Sequence, residues 1–304
     1  MLMVANLGED SISIIDENDL REFKRIKLSP LNNTKVGPHN LVLDEEKNFV
    51  YIINSFDNSL AVIELTNYEV VYRQYVGERP ICLHIDYPRN LIYISNTDGN
   101  TVSIIDRENY TVLGQIEVGN MPCGLKLHPK TRQLYVVNME SNDIYVLDTE
   151  DFKIDFKIPV EINPTDIEFD DEGNYAYVTN SYLTNGRKGT LSVIDVLNKR
   201  VIKSIGLGML PFQICKGFDN RLYIINLHPG ELSILEMGVD MKYKNFYIGG
   251  MLHSITLSDS SRAFVTNVEE NCVMVFDIIN ERISGKLRVG KEPHGILYYK
   301  NKEK

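Results

Sequence analysis

The sequence feature that most constrains the fold is a four-residue motif that recurs seven times along the chain. In its fullest form it reads Tyr177-Val178-Thr179-Asn180, and every copy ends in asparagine after residues that are mostly β-branched. The copies occupy residues 3–6, 51–54, 93–96, 135–138, 177–180, 223–226 and 264–267, and successive asparagines lie 48, 42, 42, 42, 46 and 41 residues apart. A nearly fixed period of this length with strand-like content predicts a radial or stacked repeat architecture.

Each repeat also contains a regular series of strand and turn patterns. In the third repeat, four strand-like runs at residues 81–85, 91–95, 101–105 and 111–118 are separated by turn-forming segments. Such runs are typical of strands joined by tight turns, and no useful length of the chain has helical periodicity. Four antiparallel strands in a unit of about forty residues form the blade of a β-propeller. The sequence therefore predicts an all-β fold built of blades.

The two ends of the chain complement each other. The first repeat begins at its second strand, and residues 291–298 resemble an opening strand with no blade behind it. We therefore predict that the C-terminal strand completes the N-terminal blade, which closes the ring and removes its exposed edges. The predicted single domain, residues 1–304, is a seven-bladed β-propeller of four-stranded antiparallel blades. Blade 1 comprises residues 1–28 plus 291–299, blade 2 residues 37–77, blade 3 residues 78–119, blade 4 residues 120–160, blade 5 residues 161–208, blade 6 residues 209–249 and blade 7 residues 250–290.

The repeat resembles that of the YVTN-type seven-bladed β-propeller family. The resemblance lies in the motif at 177–180, the Gly-x-x-Pro pattern upstream of the motifs, and Val193-Ile194-Asp195 downstream, and it extends over essentially the whole chain. It implies varied roles, among them scaffold proteins, ligand binders, lactonases and lyases, because a fold does not determine function. Family members are often exported, whereas this chain shows no signal-peptide pattern. The chain also contains no Trp, which argues against WD-type repeats and tryptophan-rich quinoprotein blades.

Composition restricts the partners and the compartment. The formal net charge of −10 argues against nucleic acid or an anionic membrane as the main partner, because both require a basic surface. The four cysteines fall in four different repeats without paired spacing, which favours free thiols in a reducing compartment. No apolar run approaches the roughly 18 residues that a membrane span needs. We therefore expect a soluble, cytoplasmic monomer.

The repeated turn residues have a structural explanation. An asparagine at a strand end can accept backbone hydrogen bonds across a tight turn and tolerates left-handed dihedral angles. We expect this role for the motif asparagines. We expect the solvent to reach His128 and His228, which precede prolines in turns. The same hydrogen-bonding role is expected at the next turn for Asp16, Asp106, Asp148, Asp195 and Asp277.

Two connections are longer than the repeat requires. Residues 29–36 add six residues between blades 1 and 2, and residues 181–189 add five within blade 5. In an up-and-down blade both connections emerge on the same face, and binding residues are often found on such variable loops, although tolerated drift in loop length is the alternative. The candidate ligand-binding residues at this rim and in the channel are Arg79, Cys123, Asp166, Glu168, Tyr182, Arg187 and Lys188.

Histidine is concentrated at one position of the repeat. The residue after the blade-opening position is histidine in three of the seven blades, at His39, His253 and His294, although the chain has only six histidines. Once the ring is closed, blades 7, 1 and 2 are neighbours, so these imidazoles are predicted to lie side by side at the channel mouth. Three histidines with an open position suit Zn²⁺ or a similar divalent metal. Without metal they could act as a general base or a pH-sensitive anion site, or serve only to hydrogen-bond the backbone.

The leading functional interpretation is a binding or scaffold protein that engages a small ligand, a metal ion or a protein partner at the loop-rich face. The first alternative is a lactonase- or lyase-type enzyme that uses the histidine cluster, with or without a divalent metal. The second is a protein-interaction platform without a small-molecule site. The chain has no glycine-rich phosphate loop, GxSxG elbow or HExxH motif, which argues against the hydrolases that use them.

Overall fold

The computed structural model describes residues 1–31, 34–183, 186–238, 241–258 and 261–300. These residues form seven four-stranded antiparallel sheets arranged as the blades of a closed ring, together with a short 3-10 helix at Leu7–Glu9. The predicted seven-bladed β-propeller is therefore confirmed. Within these ranges, no helix has the length and apolar character needed to cross a membrane.

The strands follow one another from the channel outward in each blade. Blade 1 contains β28 (Pro293–Tyr298), β1 (Leu2–Asn6), β2 (Ser11–Asp16) and β3 (Arg21–Lys27), and blade 2 contains β4 (Pro38–Asp44), β5 (Phe49–Asn54), β6 (Ser59–Glu64) and β7 (Glu69–Tyr75). Blade 3 contains β8 (Pro80–Asp86), β9 (Leu91–Asn96), β10 (Thr101–Asp106) and β11 (Val112–Glu117), and blade 4 contains β12 (Pro122–Leu127), β13 (Leu134–Asn138), β14 (Asp143–Leu147) and β15 (Ile154–Pro159). Blade 5 contains β16 (Pro164–Phe169), β17 (Tyr175–Asn180), β18 (Thr190–Asp195) and β19 (Arg200–Gly206), and blade 6 contains β20 (Pro211–Lys216), β21 (Arg221–Asn226), β22 (Glu231–Glu236) and β23 (Tyr243–Tyr247). Blade 7 contains β24 (Leu252–Leu257), β25 (Arg262–Asn267), β26 (Cys272–Asp277) and β27 (Arg282–Arg288).

The ring closes through β28, as the complementary chain ends predict. This strand pairs antiparallel with β1, with Leu2 opposite Tyr298 and Val4 opposite Ile296. At one end of the pair, the amino group of Met1 donates a hydrogen bond to the Tyr299 carbonyl at 3.0 Å. The closure brings the two ends of the chain into one blade and makes blades 7, 1 and 2 consecutive in space.

The core lies between the faces of neighbouring blades. The aromatic residue of the motif is almost completely buried in each of the last six copies, and burial of a large side chain contributes about 1.5–3 kcal/mol. Tyr51, for example, packs with Ile85 and Ile94 of the next blade. The six are Tyr51, Tyr93, Tyr135, Tyr177, Tyr223 and Phe264.

The motif asparagines stabilise the turn in a different way from the one expected. All seven are buried with 0% exposure, and none has a positive φ. The Asn96 amide nitrogen donates to the hydroxyl of Ser103 at 2.8 Å. The left-handed backbone conformation occurs instead at the residue four positions after the motif asparagine, such as Asn100 with φ of 52°. Its Oδ1 accepts the Met121 N–H at 2.8 Å. Because the motif asparagine lies in the extended strand itself, its amide reaches across to the neighbouring strand.

The aspartates at the next turn behave as predicted. Each accepts a backbone N–H from two or three residues ahead, as in Asp106 Oδ1 with the N–H of Glu108 at 2.7 Å. The bonds involve Asp16, Asp106, Asp148, Asp195 and Asp277.

His128 is buried, which corrects the prediction that it is exposed. Its Nε2 lies 2.9 Å from the Gly173 carbonyl oxygen, and its Nδ1 accepts the Thr131 N–H at 3.0 Å. The imidazole therefore links blades 4 and 5, because its two ring nitrogens bond backbone groups of both. His228 is exposed, as predicted.

Glycines in the connections between blades pack directly against the motif asparagines. A Cβ at Gly119 would lie 2.6 Å from Cγ of Asn138. We expect Gly119→Ala to lower the free energy of unfolding by about 1–3 kcal/mol, because the added methyl forces this close contact apart. Gly114→Ala is the matched control, since a Cβ there would meet no atom within 4 Å. Urea unfolding measures both variants, and equal unfolding free energies would contradict the packing described here.

Candidate metal and ligand site

The inner strand of every blade begins with a β-bulge. Its register shifts just after the opening residue, as between Pro38 and Asn40 in blade 2 and between Pro164 and Asp166 in blade 5. The same shift occurs in the other five blades. A bulge places two consecutive residues opposite one residue of the partner strand. Two residues from most blades therefore reach the channel instead of one.

These residues line a cavity at the channel mouth. It has a volume of about 80 Å³, which is room for a few waters or a small organic molecule. The lining residues are His39, Asn40, Ile81, Cys82, Cys123, Gly124, Thr165, Asp166, Phe212, Gln213, His253, Ser254 and Gly295. The wall is largely apolar, with a few polar groups that converge on one space, as is usual for ligand sites.

The structure places His39, His253 and His294 side by side. His39 and His253 line the cavity, and His294 packs behind them without belonging to its lining. The ring centroids of His253 and His294 are 3.8 Å apart. The His39 centroid lies 5.1 Å from that of His253 and 5.0 Å from that of His294. One ring nitrogen from each histidine can be chosen so that all three lie within 4.8 Å of one another. We call these three residues the histidine trio.

The trio has unsatisfied polar atoms. Nδ1 of each of the three imidazoles is buried and has no hydrogen-bond partner among the described residues. An unsatisfied buried polar group costs about 1–3 kcal/mol, and such groups in a native protein call for an explanation such as a bound ion or water. A bound ion or water between the imidazoles would give these three Nδ1 atoms a partner.

Burial keeps the trio neutral. It lowers the pKa of His39 to about 4, the charge of Arg79 acts in the same direction, and the Ile81 carbonyl opposes both. Burial, assisted by His39, lowers the pKa of His294 to about 3. Burial and the two neighbouring imidazoles hold the pKa of His253 well below its ordinary value. Neutral imidazole is the form that binds a metal, so the trio is in the ligating protonation state at neutral pH.

The geometry of the trio fits a metal ion after a small adjustment. Zn²⁺ binds imidazole nitrogen at about 2.0–2.1 Å, so the nitrogens of a tetrahedral site lie about 3.4 Å apart. The separation of up to 4.8 Å must therefore shorten, by at most about 1.4 Å, a change within the range of side-chain rotation. The three histidines would hold such an ion, and its remaining position would be open to a ligand from the cavity.

Three other candidates lie on inner strands, but only two of them line the cavity. Cys123 and Asp166 belong to its wall. Burial raises the pKa of the Cys123 thiol to about 12, so the sulfur is protonated and a poor nucleophile. Glu168 lies two residues beyond Asp166 on β16, where its carboxylate pairs with Lys126 Nζ at 2.8 Å.

The remaining candidates lie on the rim and do not belong to the described lining of the cavity. The Arg79 side chain is half exposed and lies 3.5 Å from the carboxylate of Asp98. Tyr182 donates its hydroxyl to Glu161 at 2.6 Å, and Arg187 and Lys188 are exposed. The predicted site residues thus separate into a channel group and a rim group.

The two insertions are anchored to the blades beside them. The N–H groups of Val36 and Leu31 bond the carboxylates of Asp10 and Asp57 at 3.0 and 3.2 Å. Glu161 receives the Tyr182 hydroxyl of the second insertion. Residues 32–33 and 184–185 of the insertions lie outside the described residues.

Sequence reasoning missed several lining residues. Asn40, Cys82, Gly124 and Ser254 occupy the second position after the blade opening. In a regular strand the side chains of consecutive residues point to opposite faces, so this position would be assigned away from the channel when the first position faces it. The fixed spacing of the repeat locates the position, but only the bulge turns it inward.

Comparisons with known proteins support the fold. No family model matches the chain, and no curated protein matches it. A protein of unknown function from Desulfotomaculum acetoxidans DSM 771 has a similar structure, with 14% identity, a TM-score of 0.83 and coverage of 97% of this chain and 98% of that chain. Kuenenia stuttgartiensis hydrazine synthase shows 15% identity, a TM-score of 0.78 and coverage of 85% and 88%. Virginiamycin B lyase from Staphylococcus aureus shows 17% identity, a TM-score of 0.71 and coverage of 88% and 90%.

These similarities concern the fold alone, because identities this low do not carry function. The likeness to the YVTN-type repeat family stays a prediction, since no family model matches. The chain is similar in structure to seven-bladed β-propellers of several different functions.

Proposed function

We propose that the protein binds a divalent metal ion, such as Zn²⁺, through His39, His253 and His294, and that this ion holds a small ligand in the channel mouth. The observation that carries the proposal is the convergence of three neutral imidazoles with buried, unpartnered Nδ1 atoms. A binding role fits the cavity next to the trio, since a fourth coordination position would open into it.

The proposal is tested by zinc binding to protein made without a His-tag and stripped of metal by a chelator. Equilibrium dialysis of the wild type is expected to give about one tightly bound zinc ion per chain. His253→Ala is expected to weaken zinc binding by at least about 100-fold, because it removes one of three protein ligands. His228→Ala is the matched control, since it removes an exposed imidazole outside the channel. Negligible binding to the wild type, or equal binding to wild type and His253→Ala, would contradict the proposal.

A second candidate function is a lactonase- or lyase-type enzyme at the same site. It is favoured by the position of Asp166, a half-buried carboxyl group that lines the same cavity as His39 and His253 and could transfer a proton. The structural neighbours include a streptogramin B lyase and a catalytically inactive histidine-to-alanine variant of virginiamycin B lyase solved with quinupristin. Under this alternative, zinc-loaded wild type consumes quinupristin and His253→Ala does not. Unchanged quinupristin in both samples argues against it.

The third candidate, a protein-interaction platform, draws on the loop-rich face. Leu31, Leu183 and Met251 expose 48%, 42% and 41% of their surface there. A protein that binds this face in the absence of metal would favour the interaction platform over the metal site. We also infer a reducing, cytoplasmic location, because all four cysteines are free. A monomeric state remains our expectation, and sedimentation equilibrium tests it.

A further inference from the structure

Asp166 places an acidic side chain in the cavity. Among the described lining residues it is the single carboxylate, and they include no Lys or Arg. The nearest lysine along the channel, Lys126, is engaged with Glu168 at 2.8 Å. The carboxylate therefore lacks a cationic partner among the described side chains that share its cavity.

The position of this carboxylate is fixed by its surroundings. Its Oδ1 accepts the N–H of Ile167 at 2.9 Å, and its Oδ2 accepts the N–H of Ile214 at 3.1 Å. Across the blade interface, a Cβ at Gly124 would lie only 2.7 Å from Oδ1. Asn40, Cys82, Gln213 and Ser254 occupy the same repeat position in other blades, so the glycine in blade 4 leaves the space that Asp166 fills.

The groups that face Asp166 compensate its charge only in part. Burial raises its pKa to about 7, although the N–H groups of Ile214 and Ile167 and the charge of Lys126 act in the opposite direction. The thiols of Cys82, Cys123 and Cys215 on the neighbouring inner strands are neutral, because burial raises each pKa to about 12. Glu168 adds a further negative charge, which also raises the pKa of Asp166. A half-buried carboxylate of this kind is stabilised by a partner that carries the opposite charge and a hydrogen-bond donor.

We propose that Asp166 binds the ammonium group of a small ligand whose carboxylate coordinates the metal ion held by the histidine trio. The ligand class is a short ω-amino carboxylate. This inference rests on the proposed metal site, because the metal supplies the positive charge for the carboxylate end.

The arrangement of blades and the size of the cavity both favour this class. The trio lies in blades 1, 2 and 7, and Asp166 lies in blade 5, so a ligand that meets both must span the channel. The cavity volume of about 80 Å³ restricts the ligand to a small molecule. Short amino carboxylates have this size and carry opposite charges at their ends, matching a metal cation on one wall and a carboxylate on the other.

The test is calorimetric titration of zinc-loaded protein at pH 8, where Asp166 is ionised. The probes are glycine, 3-aminopropanoate and 4-aminobutanoate, each compared with the amine-free carboxylate of equal carbon number. For the best-fitting length, the wild type is expected to bind the amino carboxylate at least about 10-fold more tightly than its amine-free counterpart, because the ammonium pairs with a poorly solvated carboxylate. No preference for the amine at any length would overturn the inference.

Two variants test whether Asp166 causes the preference for the amino carboxylate over its amine-free counterpart. Asp166→Asn is expected to reduce the difference in affinity between the amino carboxylate and its amine-free counterpart to less than about twofold, because it removes the negative charge. Gly124→Ala is expected to do the same by displacing the carboxylate. Its Cβ would also lie 2.8 Å from the Asp166 Cα, so unchanged zinc binding is used to show that each variant is folded. Asp171→Asn, at an exposed aspartate that pairs with Lys216, is the matched control and should keep the full preference.

The outcomes separate this inference from the proposed function. Zinc binding without a preference for the amine, or a preference that survives in both Asp166→Asn and Gly124→Ala, overturns the role of Asp166 alone. Failure of the wild type to bind zinc overturns both proposals.

Discussion

Removal of residues 291–304 is expected to abolish cooperative folding of the ring. The deletion takes away β28, the innermost strand of blade 1, and leaves β1 paired only with β2. Leu2 and Val4, which are fully buried, would then lie at an open sheet edge. The loss is expected to consume most of a typical stability of about 5–15 kcal/mol. Circular dichroism during heating measures it, and a truncated chain with an unchanged melting temperature would contradict ring closure.

A permuted chain provides the control for this deletion. Placing residues 291–304 ahead of Met1 would turn β28 and β1 into an ordinary hairpin, because Tyr299 already lies beside Met1. The hydrogen bonds of blade 1 would then be restored, although the covalent link from blade 7 would be missing. We expect this permuted chain to regain a cooperative transition. An unfolded permuted chain would show that cooperative folding depends on the covalent link between blades 7 and 1 and not on the pairing of β28 with β1.

Arg107→Ala is expected to lower the free energy of unfolding by about 3–5 kcal/mol, because it leaves a buried carboxylate without its partner. Arg107 reaches from blade 3 to Asp44 of blade 2, with Nε and Nη2 each 2.6 Å from a carboxylate oxygen. Asp44 also accepts the Tyr51 hydroxyl at 2.6 Å. Both members of the ion pair are almost completely buried. The pair therefore joins two blades at a place that is almost completely buried in the folded protein.

The pH dependence of this effect has a definite sign. Burial raises the pKa of Asp44, but the hydrogen bonds from Arg107, Tyr51 and the Lys47 N–H outweigh it and hold the pKa below its ordinary value. A depressed folded-state pKa gives stability that is present above the unfolded-state pKa of about 4 and is lost as the pH falls through the folded-state pKa. The difference between wild type and Arg107→Ala should therefore shrink below about pH 4.

Lys153→Ala is the control for Arg107→Ala. Lys153 pairs with Asp151 at 2.6 Å, but both side chains are largely exposed, so we expect no measurable change in the free energy of unfolding. Both variants lose one positive charge, so a difference in stability between them reflects the burial of the ion pair and not the change in net charge. Guanidinium unfolding at pH 7 measures the three proteins. Similar stabilities for Arg107→Ala and Lys153→Ala would show that the buried pair contributes little.

The sequence predicts the fold well because the repeat is regular. Seven copies of the motif determine the number of blades, and the unmatched strand at residues 291–298 determines how the ring closes. The same closure predicts that His39, His253 and His294 meet, since it makes their blades neighbours. Long-range proximity could be inferred here because it follows from the order of the blades.

Features that depend on local geometry could not be inferred in this way. The bulge that turns Asp166 and Gly124 toward each other is not visible in a strand pattern, because it breaks the alternation on which such patterns depend. His128 was expected to be exposed because it stands before Pro129, yet packing between blades buries it. The burial of a side chain at a strand end depends on its contacts with the neighbouring blade, and these contacts cannot be read from the sequence of one repeat.

The most direct test of the central claim is anomalous diffraction at the zinc absorption edge from crystals of untagged protein grown with one equivalent of Zn²⁺. The account predicts one strong peak within about 2.3 Å of a ring nitrogen of each of His39, His253 and His294. A peak bound elsewhere, or no peak between these three imidazoles in a protein whose ring is closed, would contradict it.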